Sequence, residues 1–455
     1  MKRGSLAGRP VKPERFLALG FLALIAVGGL LLALPASAVG GRSIGLRGGL
    51  FTATSAVCVT GLSIIDVGGQ LSSFGQAVLL VLIQVGGMGF MVFATLIMMA
   101  LGKRITLKER VLLRDSMNQT TLAGMVRLTR AFSLMALAIE GVGALLLMPR
   151  LIPRYGLGQG VWRSVFTAVS AFCNAGFDLF GGYRSLLDFQ GDAVVLLTLS
   201  LLIILGGLGF PVILECLHLR FKLRKASLHV KLVLCVTAAL LLSGMAAIAL
   251  LEWRNPQTLD NGLGAWQKVL NSFFQSVTFR TAGFASLDQA SLSDSSKLVG
   301  SLLMFVGASP ASTGGGVKTT TVATLFLVVG SVVRGRERLC AFGRELSADT
   351  ARRAMTIVII GLLFVLGMTC ALSVLERNSG FSLIDLFFEV SSAFSTTGLS
   401  SIGTPALRPL SQWLLMPLMY LGRVGPLTLA FALANRMNSD RMNRMCYPEE
   451  KIMIG

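Results

Sequence analysis

Histidine is nearly missing from this chain: there are two in 455 residues, His218 and His229, both in one basic stretch. Charge is scarce as well, at 14% of residues, where a soluble domain carries about a quarter. The seven cysteines (Cys58, Cys173, Cys216, Cys235, Cys340, Cys370 and Cys446) show no C-x-x-C pair and no ligand spacing, so neither a metal site nor a disulfide framework is indicated. With so few histidines, a catalytic constellation is not expected. The Ser309-Pro310 loop, for example, has no His or Asp partner. No segment carries Arg at every third position, which argues against voltage sensing. No G-x-G-x-x-G opens an α/β nucleotide-binding domain, so an organic cofactor in this chain is not expected.

What the chain has in abundance is apolar sequence. Hydrophobic residues make up 53% and the mean hydropathy is +0.73. Runs near the ~20 residues needed to cross a bilayer occur at Phe16–Val39, Val126–Met148, Ala193–Leu214, Leu232–Leu251 and Thr356–Val374. The class is a polytopic α-helical membrane protein. The formal charge of +19 follows from topology. Of the 41 Lys and Arg residues, 27 fall in the N-terminus from Lys2 to Arg15, Lys103–Arg130, Arg220–Lys231, Arg334–Arg353 and the tail from Arg436. These short segments alternate with apolar hairpins, the situation in which the positive-inside rule applies. They read as cytoplasmic, with both termini inside and membrane lipid headgroups as partners; nucleic acid is not expected. Ala36-Ser37-Ala38 imitates a signal-peptidase site, but the run before it exceeds the usual 7–15-residue core, and the segment is expected to stay.

Internal repetition is the most informative feature. Four segments resemble one another: Ser55-Ala-Val-Cys-Val-Thr-Gly61-Leu62, Ser170-Ala-Phe-Cys-Asn-Ala-Gly176-Phe177, Val277-Thr-Phe-Arg-Thr-Ala-Gly283-Phe284 and Ser392-Ala-Phe-Ser-Thr-Thr-Gly398-Leu399. Their glycines are 115, 107 and 115 residues apart. Each follows a long apolar helix and a short amphipathic stretch. Each precedes a second apolar helix with its own glycine: Gly86, Gly206, Gly307 and Gly422. The expected fold is all-α, with four parallel helix–pore-loop–helix repeats, eight transmembrane spans in all, around a pseudo-fourfold pore. The boundaries are an N-terminus over 1–15, repeats over 16–125, 126–228, 229–349 and 350–436, and a C-terminal tail over 437–455.

Irregular backbone at membrane depth survives only when buried in protein or lining a watery cavity. Four such segments on one axis suit a cation that must exchange its hydration shell for backbone carbonyls. Glycine allows positive φ without Cβ strain, so successive carbonyls can point at that axis. The expected ion-binding residues are Val59, Thr60 and Gly61; Asn174, Ala175 and Gly176; Thr281, Ala282 and Gly283; and Thr396, Thr397 and Gly398. Asp66, Asp178 and Asp288 follow their glycines by two to five positions. They serve either as a cation-concentrating vestibule or as ordinary turn residues.

The second helix of the third repeat is interrupted by Gly307, Ala308, Ser309, Pro310, Ala311, Ser312, Thr313, Gly314, Gly315 and Gly316, followed by Lys318. Proline costs about 3 kcal/mol in a helix interior and each glycine about 1 kcal/mol, so this stretch is expected to leave the helix and act as a gate just below the filter. Arg423 lies inside an otherwise apolar helix and needs acceptors; exposed carbonyls of that loop would serve. Arg280 is expected to pack behind the filter against a carboxylate, with Asp385 and Glu389 as candidates.

These residues resemble the potassium-translocating membrane subunits of bacterial Ktr systems (KtrB type) within the Trk/Ktr/HKT superfamily. The likeness covers nearly the whole chain. The segments 170–177 and 279–284 are more Ktr-like than Trk-like, and no room precedes Phe16 for two extra helices. The resemblance implies uptake of K⁺, often Na⁺-dependent, across the bacterial cytoplasmic (inner) membrane. It also implies a homodimer and a separate cytoplasmic ring of nucleotide-binding regulatory subunits (KtrA type). Glycine at all four filter positions favours K⁺ by the same resemblance. The runner-up is a Na⁺-permeable or weakly selective monovalent cation transporter.

Overall fold

A computed structural model of the protein describes residues 13–89, 92, 93, 95, 99, 125–220, 222–336 and 339–425. The expected cytoplasmic N-terminus up to residue 12, the basic stretch 103–124 and the tail 437–455 lie outside the described residues.

Element order follows one pattern along the chain. In the first quarter α1 (Pro13–Leu32) precedes a short helix, α2 (Gly45–Val57), then a loop and α3 (Ser73–Met88). In the second, α4 (Met125–Tyr155) precedes α5 (Leu157–Phe172), α6 (Ala193–Leu208) and α7 (Phe210–His218). In the third, α8 (Leu228–Glu252) precedes α9 (Ala265–Thr278), α10 (Asp294–Phe305) and α11 (Thr319–Val333). In the fourth, α12 (Ala348–Leu375) precedes α13 (Leu383–Ser395) and α14 (Pro409–Val424). Hydroxyl and carboxylate side chains start many of these helices by accepting from backbone amides that lack an intrahelical partner. Ser72, Asp192, Ser227, Ser293, Ser347 and Ser382 all do so.

The distribution of side chains is that of a protein in lipid. The long helices α4, α8 and α12 each have an apolar window buried over only 39%, 28% and 22% of its residues. Leucines such as Leu145, Leu250 and Leu363 stand exposed on them, and exposed charges such as Arg127, Arg154, Arg352 and Arg353 sit near the helix ends. The four short helices α2, α5, α9 and α13 are the most deeply buried and carry hydroxyls and amides into the centre: Ser55, Thr167, Gln275 and Ser391 among them. At 13–16 residues they span about 20–24 Å, short of a bilayer's ~30 Å hydrocarbon core.

Among the described residues α4, α8 and α12 are long and apolar enough to cross a membrane unaided, and α6 with α7 qualifies only as a pair bent by 97°. Ala18–Leu32, Ser73–Met88 and Thr319–Val333 are shorter apolar helices. The sequence points to one interrupted second helix, but the interruption is more general. Helix α3 stops at Gly89, α6 at Gly209 and α14 at Gly425, with φ/ψ of 88/137°, 92/136° and 92/135°. Only glycine takes that conformation freely. Each lies three residues beyond Gly86, Gly206 or Gly422. Gly307 differs from those three because α10 has already ended at Phe305. The all-α expectation also misses a two-stranded hairpin. Here β1 (Leu339–Ala341) pairs antiparallel with β2 (Arg344–Leu346) across Phe342 and Gly343, both at positive φ, as a two-residue hairpin turn demands.

Candidate functional site

The four glycine segments come together at the C-terminal ends of α2, α5, α9 and α13 with one backbone conformation. Val59, Asn174, Thr281 and Thr396 have φ of 57, 57, 66 and 56°, and the glycines two positions later have φ of 96, 69, 82 and 91°. Positive φ is uncommon outside glycine and unusual for a β-branched residue, yet Val59, Thr281 and Thr396 all adopt it. Strain of about 1–3 kcal/mol at each such residue is held in place by burial: all four are 0% exposed.

The glycines also close a ring. A Cβ on Gly61 would lie 2.6 Å from Ala175 O, and one on Gly176 would lie 2.9 Å from Ala282 O. A Cβ on Gly283 would strike Thr397 O, and one on Gly398 would strike Thr60 O. Each glycine thus faces the carbonyl before the next glycine, and the fourth returns to the first. Outside this ring a second layer of glycines lets the second helices approach. A Cβ on Gly86, Gly206 or Gly422 would collide with the carbonyl of Val57, Phe172 or Phe394, in each case the residue four before the ring glycine. Gly307 faces Gly315 O instead.

On one side of the ring opens a cavity of about 510 Å³ lined by Gly61, Gly176, Gly283 and Gly398 together with Asp66, Asp178 and Asp288. All three carboxylates also accept backbone amides, Asp178 and Asp288 within their own turns and Asp66 from a distant segment. Asp66 takes the Gly182 amide at 2.8 Å, Asp178 the Phe180 amide at 3.0 Å, and Asp288 the Ala290 amide at 3.2 Å with the Ser291 hydroxyl at 2.6 Å. Burial pushes the Asp178 carboxyl up to about 6, and the charge of neighbouring Asp66 adds to the rise.

On the other side lies the 307–316 loop. Its amides find partners on two helices, α6 and α14. Ser309 N donates to Gly207 O at 3.0 Å, Thr313 N to Gly206 O at 3.2 Å and Gly316 N to Gly422 O at 3.3 Å. The Ala311 carbonyl, in a residue at φ 54°, accepts from Phe210 N at 3.0 Å. Gly315 N donates to Thr396 Oγ1 at 3.1 Å, which ties the loop to the first residue of the fourth ring segment. Ser312 Oγ closes onto Ser309 O at 2.6 Å, and Lys318 Nζ donates to Gly314 O at 2.7 Å. Arg423 donates through Nη1 to Thr313 O and through Nη2 to Gly86 O and, at 3.1 Å, to Gly87 O.

Arg280 departs from expectation. Its Nη2 reaches Gly307 O at 3.5 Å, with no carboxylate partner among the described residues. The two candidate acids are engaged elsewhere: Asp385 pairs with Lys297 at 2.8 Å, and Glu389 accepts from Ser400 and Thr404 at 2.6 and 2.7 Å. A further cluster has no repeat to reveal it. Glu140, 4% exposed in the middle of α4, accepts from Gln84 Nε2 at 3.0 Å and sits 3.8 Å from Cys173 Sγ, one residue before Asn174. Among the described residues no three His, Cys, Asp or Glu side chains are grouped to hold a metal ion.

Comparison with known proteins agrees with this architecture. Residues 31–445 match the family model of TrkH, described as a cation transport protein. The chain is 39% identical to the Ktr system potassium uptake protein B of Bacillus subtilis, over 97% of each. It is also 39% identical to the potassium/sodium uptake protein NtpJ of Enterococcus hirae, over 98% of each. The crystal structure of the potassium transporter TrkH from Vibrio parahaemolyticus superposes with a TM-score of 0.71 at 17% identity, covering 95% of this chain and 86% of that one, which speaks to the fold. On its match over most of its length and on these relatives, the chain belongs to the TrkH family of cation transport proteins, which are ion transporters and not enzymes.

Proposed function

We propose that this chain takes up K⁺ across the bacterial cytoplasmic membrane through a channel-like pore whose selectivity filter is the four-glycine ring. The observation that carries the reading is the closed cycle of contacts, in which each ring glycine faces the carbonyl preceding the next. Twelve residues of one backbone conformation then offer successive carbonyl layers to a dehydrated ion, the arrangement by which backbone oxygens replace a hydration shell. In this reading the chain is four parallel repeats with eight spans around the ring, and the 307–316 loop is the gate.

Arg423, Lys318 and the carbonyls of α6 and α14 hold that loop across the pathway on the side away from the acidic cavity. Partners in the proposal are a second copy of the chain and a separate cytoplasmic nucleotide-binding ring of the KtrA type, which biases the loop. Three of the relatives carry the Ktr system name, which suits a subunit of a larger assembly. A second reading, a pore that also passes Na⁺, draws on the relative named as a potassium/sodium uptake protein.

The test is ⁸⁶Rb⁺ uptake into proteoliposomes with excess K⁺ or Na⁺ as competitor, for the wild type and for Gly61→Ser. Uptake blocked by K⁺ but not Na⁺, with that preference weakened in Gly61→Ser, is the expected outcome. Equal block by both ions in the wild type would favour the Na⁺-permeable reading. Absence of uptake even after deletion of residues 311–315 would sink the pore assignment.

A further inference from the structure

The peptide units of the ring are not held alike. Gly61 N donates to Ser55 Oγ at 3.0 Å and Gly398 N donates to Ser392 Oγ at 3.0 Å, in both cases a serine six positions earlier on the short helix. Ser170 occupies the matching position before Gly176. Its hydroxyl is fully buried and has no hydrogen-bond partner among the described residues. The third segment has Val277 there, and its neighbour Thr278 instead donates to Phe284 O at 2.6 Å. The backbone follows the same order: φ is 96° and 91° at the braced Gly61 and Gly398, and 69° and 82° at the unbraced Gly176 and Gly283.

A trans peptide is planar, with its N–H and C=O pointing in opposite directions. An amide anchored behind the ring therefore aims the carbonyl of the same peptide forward. The peptides concerned are Thr60–Gly61 and Thr397–Gly398. Their carbonyls, Thr60 O and Thr397 O, are the ones that face Gly398 and Gly283.

Resting on the filter reading above, we propose that Ser55 and Ser392 are positioning residues for ion selectivity. Each locks one peptide plane so that its carbonyl keeps its direction when the occupying ion changes. The second segment, with Ser170 disengaged, and the third, with Val277 in the matching place, are the quarters of the ring without this brace. Selectivity by carbonyl oxygens depends on how stiffly they hold their positions as well as on their number. Two fixed peptides beside two unbraced ones make the serines, rather than the glycines alone, a determinant of the K⁺/Na⁺ ratio.

The test is equilibrium ⁸⁶Rb⁺ binding to the purified full chain, displaced by K⁺ or Na⁺ and read on the monodisperse fraction. Binding at the ring does not require the loop to open. Ser55→Ala and Ser392→Ala should each lower the K⁺/Na⁺ displacement ratio by about five-fold, the factor that one net hydrogen bond carries. Ser170→Ala removes the same atom from the same position and should leave the ratio within about two-fold, as expected for an oxygen that makes no bond. Ser55→Thr and Ser392→Thr keep the hydroxyl and should keep the ratio; a loss in them as large as in alanine overturns the proposal. So does a Ser170→Ala shift equal to the other two, or an unchanged ratio in Ser55→Ala and Ser392→Ala while Gly61→Ser abolishes it. If Gly61→Ser also leaves the ratio unchanged, the filter reading itself falls.

Discussion

A guanidinium offers several N–H donors in one plane and cannot be discharged in a protein, so an arginine inside an apolar helix must find carbonyls. Arg423 finds three on two different elements: Thr313 on the loop, and Gly86 and Gly87 on α3. That geometry requires the fork of an arginine. A lysine ammonium at the same place is a point charge on a flexible stem and would satisfy the loop or α3, but hardly both. We expect Arg423→Lys to raise ⁸⁶Rb⁺ flux through the isolated subunit by several-fold. Arg423→Ala should raise it by about ten-fold or more, since each charge-assisted bond to a carbonyl is worth about 1.5–3 kcal/mol. Flux at wild-type level in both variants would show that the loop is held without Arg423. The need for such a partner was legible in the sequence, because a lone charge in an apolar run declares that need. The partner of Arg280 was not. Carboxylates at Asp385 and Glu389 looked available, but the fold gives one to Lys297 and the other to two hydroxyls, and the order in which acceptors are taken is a tertiary property.

At the scale of elements, the ring was readable because four copies of a weak signal at one period add up, whereas each alone resembles ordinary helix packing. The helix breaks at Gly89, Gly209 and Gly425 were missed for the converse reason. One glycine costs a helix only about 1 kcal/mol, and nothing in a single apolar run says whether the chain continues through it. The pairs Gly86/Gly89, Gly206/Gly209 and Gly422/Gly425 were the available sign. These breaks separate into two kinds that a substitution can distinguish. A Cβ on Gly89 meets nothing within 4 Å, while one on Gly209 would lie 2.6 Å from Pro310 O of the loop. Both alanine variants carry a positive-φ strain of about 1–3 kcal/mol, so both should melt at lower temperature in detergent. Only Gly209→Ala should also push the loop aside and raise basal ⁸⁶Rb⁺ flux. An equal flux in the two variants would mean that α6 and the loop are not coupled at that contact.

Over the whole molecule, acidic cavity, carbonyl ring and tethered loop lie in succession, and the charges are sorted along that line. Carboxylates stand at the cavity, while Arg423 and Lys318 stand at the loop. A negative mouth raises the local concentration of cations, so its charge state should set uptake at low ion concentration. Asp178 is the member of the mouth that titrates near the working range. Its carboxyl is raised from 3.8 to about 6 by burial first and then by Asp66. Below that value it is neutral, and above it the cavity gains one negative charge. With the protein oriented so that the cavity faces the varied pH, ⁸⁶Rb⁺ uptake at subsaturating concentration should rise between about pH 5 and 7. The rise should shrink as salt screens the mouth. Stability should move the other way. The folded state binds the Asp178 proton more tightly than the unfolded chain does, so melting temperature should fall slightly as pH climbs from about 4 to 6. Asp178→Asn should flatten both profiles while leaving the K⁺/Na⁺ ratio unchanged, because in the proposed filter reading discrimination occurs at the glycine ring and not at the carboxylates of the cavity. A pH profile that survives the substitution would assign the titration to another group, and a changed ratio would place Asp178 within the discriminating layer itself.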